Sequence, residues 1–224
     1  MSALACISVS GSRLPLSLLE RLSYNGAELA ERLPALRVAS RANAVAVLST
    51  CQRTEVYGAW KDTADPAALL LALARDRGVA PTEVEAAAKV HVHDQAALHL
   101  LRVATGLESF VLGETEIAGQ VRSATAAARA AGSSDLELDR LLAAAIAASR
   151  RAHRGSSLAA MGRSVASAAV DTVAAWNGGS LDGKRVLVVG AGSVAAAVVA
   201  RAAALGAQLT VCNRTRRHAD LLAR

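Results

Sequence analysis

One cysteine stands where a nucleophile would be useful. Residues 44–50 (AVAVLST) alternate and are β-branched, and Cys51 follows them into a polar segment, Thr50-Cys51-Gln52-Arg53-Thr54-Glu55. An Arg close to a thiol lowers its pKa and raises the thiolate fraction, which would make Arg53 an activator of Cys51. A thiolate attacks an activated acyl group, and a hydride donor would reduce the resulting thioester to an aldehyde. The bland alternative is a small buried hydrophobe. Cys6 and Cys212 lie inside strand patterns and read as core residues. The three cysteines stand far apart, so neither a disulfide framework nor a CxxC metal pattern is present.

The histidines give a weaker signal. His91 and His93 would share one strand face, but no third metal ligand lies at a supporting spacing. His99, in Leu98-His99-Leu100-Leu101, sits on an apolar helix, where a satisfied core histidine is the usual explanation. His153 and His218 stand among Arg and read as surface.

A hydride donor would need its own site. Gly190-Ala191-Gly192-Ser193-Val194-Ala195 matches G-x-G-x-x-G/A, after the apolar run Arg185 to Val189 and ahead of a helical segment. That strand–turn–helix context is what pyrophosphate binding requires: a tight turn, a close backbone approach and free N–H groups at a helix start. A glycine-rich turn in an unrelated α/β protein would look the same. After the second strand comes Asn213-Arg214-Thr215-Arg216-Arg217, with no acid before Asp220. An Arg there suits a 2′-phosphate, which favours NADP over NAD; an Arg-rich start to a solvated helix is the alternative.

These residues need elements to hold them. Residues 3–10, 44–50, 53–60 and 90–93 read as strands. Helical segments (15–22, 27–36, 64–77) lie between, and Pro81 opens a short one. The order β-α-β-β-α-β is the split, ferredoxin-like pattern. From Asp94 to Trp176 helical periodicity dominates, with breaks at Gly106, Gly113, Gly132 and Gly155-Ser156-Ser157, and with Asp94 and Ser134 as N-caps. Asn177-Gly178-Gly179-Ser180 is the clearest linker. The expected fold class is therefore α/β: an α+β ferredoxin-like domain with a helical block over 1–178, then a partial Rossmann NADP-binding domain over 179–224. The strand at Arg185 to Val189 reads as covered on both faces.

Composition sets the bounds. The chain has 224 residues, 53% hydrophobic and 20% charged, which excludes wholesale disorder. Aromatic residues are 2%, too few for a platform that stacks a nucleic-acid strand. The net charge of +6 fits a polyanionic partner; Arg-rich coding bias explains it equally well. Apolar runs are broken well before the ~20 residues a membrane span needs, and the chain reads as cytoplasmic.

Taken together, three motifs resemble one family. Residues 48–57, LSTCQRTEVY, resemble the LSTCNRTE(I/V/L)Y signature of glutamyl-tRNA reductases. Residues 106–121, GLESFVLGETEIAGQV, are similar to that family's GL(D/E)SxVLGExQILGQV. Residues 186–192, VLVVGAG, followed by Cys212-Asn213-Arg214-Thr215, are similar to its NADPH-domain VLV(V/I)GAG…NRT. The resemblance implies NADPH-dependent reduction of glutamyl-tRNA(Glu) to glutamate-1-semialdehyde through a cysteine thioester, the first step of five-carbon tetrapyrrole synthesis. It implies Cys51 as nucleophile and His99 as a residue needed for activity. Thr50, Gln52, Arg53, Ser109, Glu114, Thr115, Glu116 and Gln120 would contact substrate. Gly190, Ala191, Gly192, Ser193, Val194, Ala195, Asn213, Arg214 and Thr215 would hold the cofactor. The implied partners are glutamyl-tRNA(Glu) and glutamate-1-semialdehyde aminomutase; the family is homodimeric, but the part that carries its dimer is not expected in this chain.

The departures are specific. Gln52 replaces Asn, Glu116 replaces an amide, and Gly11 and Arg13 stand where the family carries a histidine and a small hydroxyl residue. A lost substrate hydrogen bond costs transition-state binding. The chain stops at Arg224, just after the second Rossmann strand, so the nicotinamide half of the cofactor domain and the family's dimerisation domain are expected to be missing. Two alternatives to reduction follow: a tRNA- or partner-binding paralogue, or an esterase-like remnant that forms the thioester and hydrolyses it.

Overall fold

The computed structural model of the chain describes residues 3–11, 14–155 and 164–223; Ser12, Arg13 and the Ser156-Ser157 break lie outside them. The chain forms two compact units, whose described residues are 3–11, 14–110 and 116–155 in one and 111–115 and 164–223 in the other.

The first unit carries β1 (Ala3–Ser10), α1 (Leu16–Leu22), α2 (Gly26–Ala39), β2 (Ala44–Ser49), β3 (Arg53–Trp60), α3 (Pro66–Asp76), α4 (Pro81–Ala87), β4 (Lys89–Val92), α5 (Asp94–Ala104), α6 (Glu116–Ala130) and α7 (Leu136–Gly155). Local signals explain most of the boundaries. The Asn25 and Asp65 side chains accept from Glu28 N–H and Ala68 N–H and so cap α2 and α3, and Pro66 takes the first turn of α3. Two caps differ from the sequence reading. Asp94 is the first residue of α5, because the His93 N–H is still held by the Leu4 carbonyl at the sheet. Asp135, not Ser134, accepts from Leu138 N–H at the start of α7, and the Ser134 hydroxyl donates to Asp139 instead.

The four strands pair antiparallel in the order β2-β3-β1-β4. Ser8 lies opposite Glu55, Cys6 opposite Tyr57 and His91, and Ser10 opposite Arg53. Side chains alternate across a strand. Arg53, Glu55 and Tyr57 therefore share a face with Ser8 and Cys6, while Val56 and Gly58 share the other with Ile7 and Val9. At Gly58 an added Cβ would lie 2.5 Å from the Trp60 ring and 3.3 Å from Leu69 of α3, so α3 packs directly on that second face. One continuous core joins both strand faces to Leu33, Leu73, Leu100, Ile117 and Leu142.

The second unit carries α8 (Val165–Trp176), β5 (Arg185–Val189), α9 (Ser193–Ala204), β6 (Gln208–Cys212) and α10 (Arg216–Leu222). β5 and β6 are parallel. Val170 and Ala174 of α8 pack with Leu181 and Ala202, and Arg201 of α9 pairs with Asp171 of α8 at 2.7 Å. The helix before the Asn177–Ser180 linker thus belongs with the Rossmann elements, so the second unit begins earlier than the linker composition indicates.

Two further expectations fail here. Leu187 and Val189 of β5 are 63% and 78% exposed, with Val188 buried, and Cys212 is exposed. Among the described residues this sheet has two strands, and one face of each is uncovered. No helix among the described residues is long and apolar enough to cross a membrane.

Candidate active site

Cys51 sits at the tip of the β2–β3 reversal. The Thr50 N–H donates to the Arg53 carbonyl at 2.8 Å and the Gln52 N–H donates to Thr50 Oγ1 at 3.2 Å, which fixes the turn. The thiol is exposed, not a buried hydrophobe. It opens on a cavity of about 430 Å³ lined by Gly11, Leu16, Leu19, Cys51, Gln52, Arg53, Glu108, Ser109 and Phe110. That volume admits a small acyl group with part of its leaving group. Ser109 Oγ is enclosed and has no hydrogen-bond partner among the described residues, which leaves it free to bond a ligand.

Arg53 directs its guanidinium to Glu55 and to the Glu108 backbone. Its guanidinium is buried, with Nη1 donating to Glu55 Oε1 at 2.9 Å and Nη2 donating to the Glu108 carbonyl. Behind it lies a buried polar network. Glu55 is fully buried, and its Oε1 also accepts from Ser8 Oγ at 2.9 Å. His99 Nε2 lies 2.9 Å from the same oxygen, and Tyr57 donates to Oε2 at 2.6 Å. Burial alone would raise the Glu55 pKa; the His99 hydrogen bond, the Arg53 and His99 charges and the Tyr57 bond outweigh it and hold the group at about 2. An ionised carboxylate only accepts, so the proton between His99 and Glu55 is on Nε2.

Cys6 Sγ, Glu55 and a His99 nitrogen lie within 4.8 Å of one another, a spacing compatible with a metal. The chemistry opposes one. The Glu55 oxygens already hold four donors, one of them a guanidinium, and burial first and Glu55 second push the Cys6 thiol up, away from the thiolate a metal needs. His91 stacks on His99 with ring centroids 4.1 Å apart. β4 ends at Val92, so His93 lies beyond the strand and does not share its face.

The sequence-derived residues divide as follows. Cys51, Gln52, Arg53 and Ser109 share the cavity, and Thr50 braces its turn. His99 does not line it. Glu116 and Gln120 lie on α6, outside the lining, and Glu114 and Thr115 belong to the second unit. Leu16, Leu19, Glu108 and Phe110 also line the cavity without having been singled out. Leu16 and Leu19 share a helix face at i, i+3, and Glu55 shares a strand face with Arg53 at i, i+2. Those periodicities are the signals that point to them.

In the second unit, Gly190 has φ +111 and its N–H donates to the Cys212 carbonyl at 2.7 Å. An added Cβ at Gly190 or Gly192 would meet nothing within 4 Å, and Gly192 precedes α9 with no side-chain cap on its first N–H groups. Open space before uncapped amides fits a pyrophosphate. Arg214 is exposed, with no ion-pair partner among the described residues, while the Asn213 amide donates to the Thr215 carbonyl.

An exposed cysteine on a ferredoxin-like sheet and a separate parallel βαβ turn describe a dinucleotide-binding class. Residues 142–223 match the D-isomer specific 2-hydroxyacid dehydrogenase, NAD binding domain, family. Residues 7–156 match the glutamyl-tRNA(Glu) reductase N-terminal domain, and the chain belongs to that family. It is 48% identical over 223 residues to glutamyl-tRNA reductase 2 of a Nocardioides species, covering 100% of this chain and 50% of that one. It is 35% identical over 214 residues to the Hahella chejuensis glutamyl-tRNA reductase, covering 95% of this chain and 50% of that one. The solved glutamyl-tRNA reductase from Methanopyrus kandleri matches with a TM-score of 0.59 and 27% identity, covering 99% of this chain and 52% of that one. The chain spans about half the length of these relatives.

Proposed function

We propose that the first unit takes the glutamyl group from glutamyl-tRNA(Glu) onto Cys51, and that the thioester is reduced to glutamate-1-semialdehyde with NADPH. The observation that carries this is the exposed Cys51 thiol at a fixed hairpin tip, opening on a cavity that also holds the unpartnered Ser109 hydroxyl. The Cys51 thiolate attacks the ester carbonyl carbon. The C–O bond to the terminal ribose breaks, and the ribose oxygen leaves as a hydroxyl after taking a proton. Ser109 is placed to bond the glutamyl group in the cavity, and Gln52 to border it. When bound, NADPH would supply the hydride equivalent that reduces the Cys51 thioester to the aldehyde level. Gly190 to Ala195 would carry its pyrophosphate at the start of α9, and Arg214 would face its 2′-phosphate. The aldehyde product is reactive, which favours direct transfer to glutamate-1-semialdehyde aminomutase.

The test is intact-mass spectrometry of the chain after mixing with glutamyl-tRNA(Glu). A glutamyl adduct on Cys51, lost in Cys51→Ser, is expected; NADPH should convert it to an aldehyde trapped by a hydrazine. An adduct that decays only to free glutamate would show acyl transfer without reduction. Absence of any adduct would overturn the reading.

A further inference from the structure

Glu55 lies outside the Cys51 cavity, yet it orients a residue that holds two sides of it. We propose that Glu55 is a positioning residue for acyl transfer at Cys51, and that His99 acts through Glu55 instead of on the substrate. This rests on the acyl-transfer reading above.

The Arg53 backbone carbonyl closes the turn that carries Cys51, by accepting from Thr50 N–H. The Arg53 side chain reaches the facing wall and donates to the Glu108 carbonyl. One residue thus spans from the nucleophile's turn to the segment bearing Ser109. What fixes the Arg53 rotamer is its bond to Glu55 Oε1 at 2.9 Å. Ser109 Oγ has no partner of its own among the described residues, so the backbone that Arg53 holds determines where it sits.

Glu55 is itself fixed from three elements. It is faced by Arg53 and Tyr57 on its own strand, Ser8 and Cys6 on β1, and His99 on α5, with His91 of β4 stacked behind His99. A wholly buried ion pair is a poor way to stabilise a core, because apolar residues of equal volume serve as well. Its use here is geometric. His99 spends Nε2 on Glu55, is covered by His91 at 4.1 Å, and lines no part of the cavity. Among the described residues, its hydrogen-bonded path to the cavity runs through Glu55 and Arg53.

The experiment compares Glu55→Gln, His99→Gln and His99→Leu with the unaltered full chain. It measures acylation of Cys51 by glutamyl-tRNA(Glu), alkylation of Cys51 by iodoacetamide, and amide hydrogen exchange. A misplaced wall costs about 10²-fold in rate. Glu55→Gln and His99→Leu should therefore acylate about 10²-fold more slowly, with alkylation within about twofold because the thiol itself is untouched. His99→Gln keeps an N–H donor toward Glu55 and should recover acylation to within about fivefold, with an unaltered pH profile. Exchange over residues 106–110 should rise in Glu55→Gln while the strands stay protected. If Glu55→Gln fails to fold, the doubly neutralised Arg53→Gln/Glu55→Gln chain takes its place with the same expectations. Acylation of Glu55→Gln at the unaltered rate would overturn the proposal. Loss in His99→Gln equal to that in His99→Leu, with one limb missing from the pH profile, would make His99 a proton-transfer group and overturn its half. If the unaltered chain forms no adduct, the acyl-transfer reading fails, and unchanged exchange over 106–110 in Glu55→Gln would then overturn the positioning role independently.

Discussion

Cys6 on β1 and Cys51 at the tip of the β2–β3 reversal differ in their access to solvent. Cys6 is buried beside an ionised carboxylate, and burial followed by Glu55 pushes its pKa well up. Cys51 is exposed at a turn, and so is Cys212 on β6. In the native chain iodoacetamide should therefore modify Cys51 and Cys212 and spare Cys6 until denaturant is added; peptide mapping by mass spectrometry reads this directly, and early alkylation of Cys6 would contradict the burial. Glu55 carries a second residue-scale prediction. Its folded pKa, about 2, lies below the usual carboxylate value of 4.5, so its contribution to stability is complete above about 4.5 and is lost as pH falls toward 2. The loss should be roughly 3 kcal/mol. Urea midpoints measured between pH 6 and 2.5 should fall steeply in the unaltered chain and more gently in the Arg53→Gln/Glu55→Gln chain. Much at this scale was legible. The polar Thr50–Glu55 segment pointed to Cys51, which is exposed at the turn, but residue types do not say which way a guanidinium turns, and Arg53 turns toward Glu55. Gly11, notable in sequence as a missing histidine, has φ +129 and borders the cavity, so any side chain there would meet backbone strain before it met a ligand.

Among the elements, α2 carries an internal defect. Pro34 stands inside the helix with an exposed side chain, where it removes one backbone hydrogen bond and crowds the preceding turn. Pro34→Ala should stabilise the first unit by about 2 kcal/mol, after the entropy it returns to the unfolded chain is subtracted. A higher urea midpoint with unchanged slope is the expected result. The opposite sign is expected for the α3 cap: Asp65→Ala should cost about 1 kcal/mol. Strand pattern gave the elements of the first sheet closely, because alternation reports a half-covered face regardless of neighbours. Caps were harder. Asp94 and Ser134 are good capping residues by type, yet the sheet's hold on the His93 amide and the better placement of Asp135 decided the outcome.

Across the whole molecule, the two units have cores of very different size. The first buries leucines from both sheet faces and several helices, whereas the second buries Val170, Ala174, Leu181 and Ala202. Stability follows buried apolar area, so the second unit should open first. Hydrogen exchange should show β5 and β6 amides exchanging well before those of β1 and β3, and a single cooperative transition reported identically by both units would contradict this. Composition located the boundary near the Asn177–Ser180 linker because glycine and serine mark flexible chain; α8 joins the second unit through packing, which composition does not report.

The hairpin register has a consequence for length as distinct from residue type. Glu55 meets Ser8, Tyr57 and His99 only because it lies an even number of positions from Arg53 and Tyr57 and directly across from Ser8. Adding or deleting one residue early in β3 would invert the strand, turning the carboxylate toward α3 and Thr54 or Val56 toward His99. The β2–β3 ribbon should therefore tolerate many substitutions and no single-residue change in count, so that indels spread along this chain would be excluded there and accepted in exposed connections such as Lys61 to Ala64.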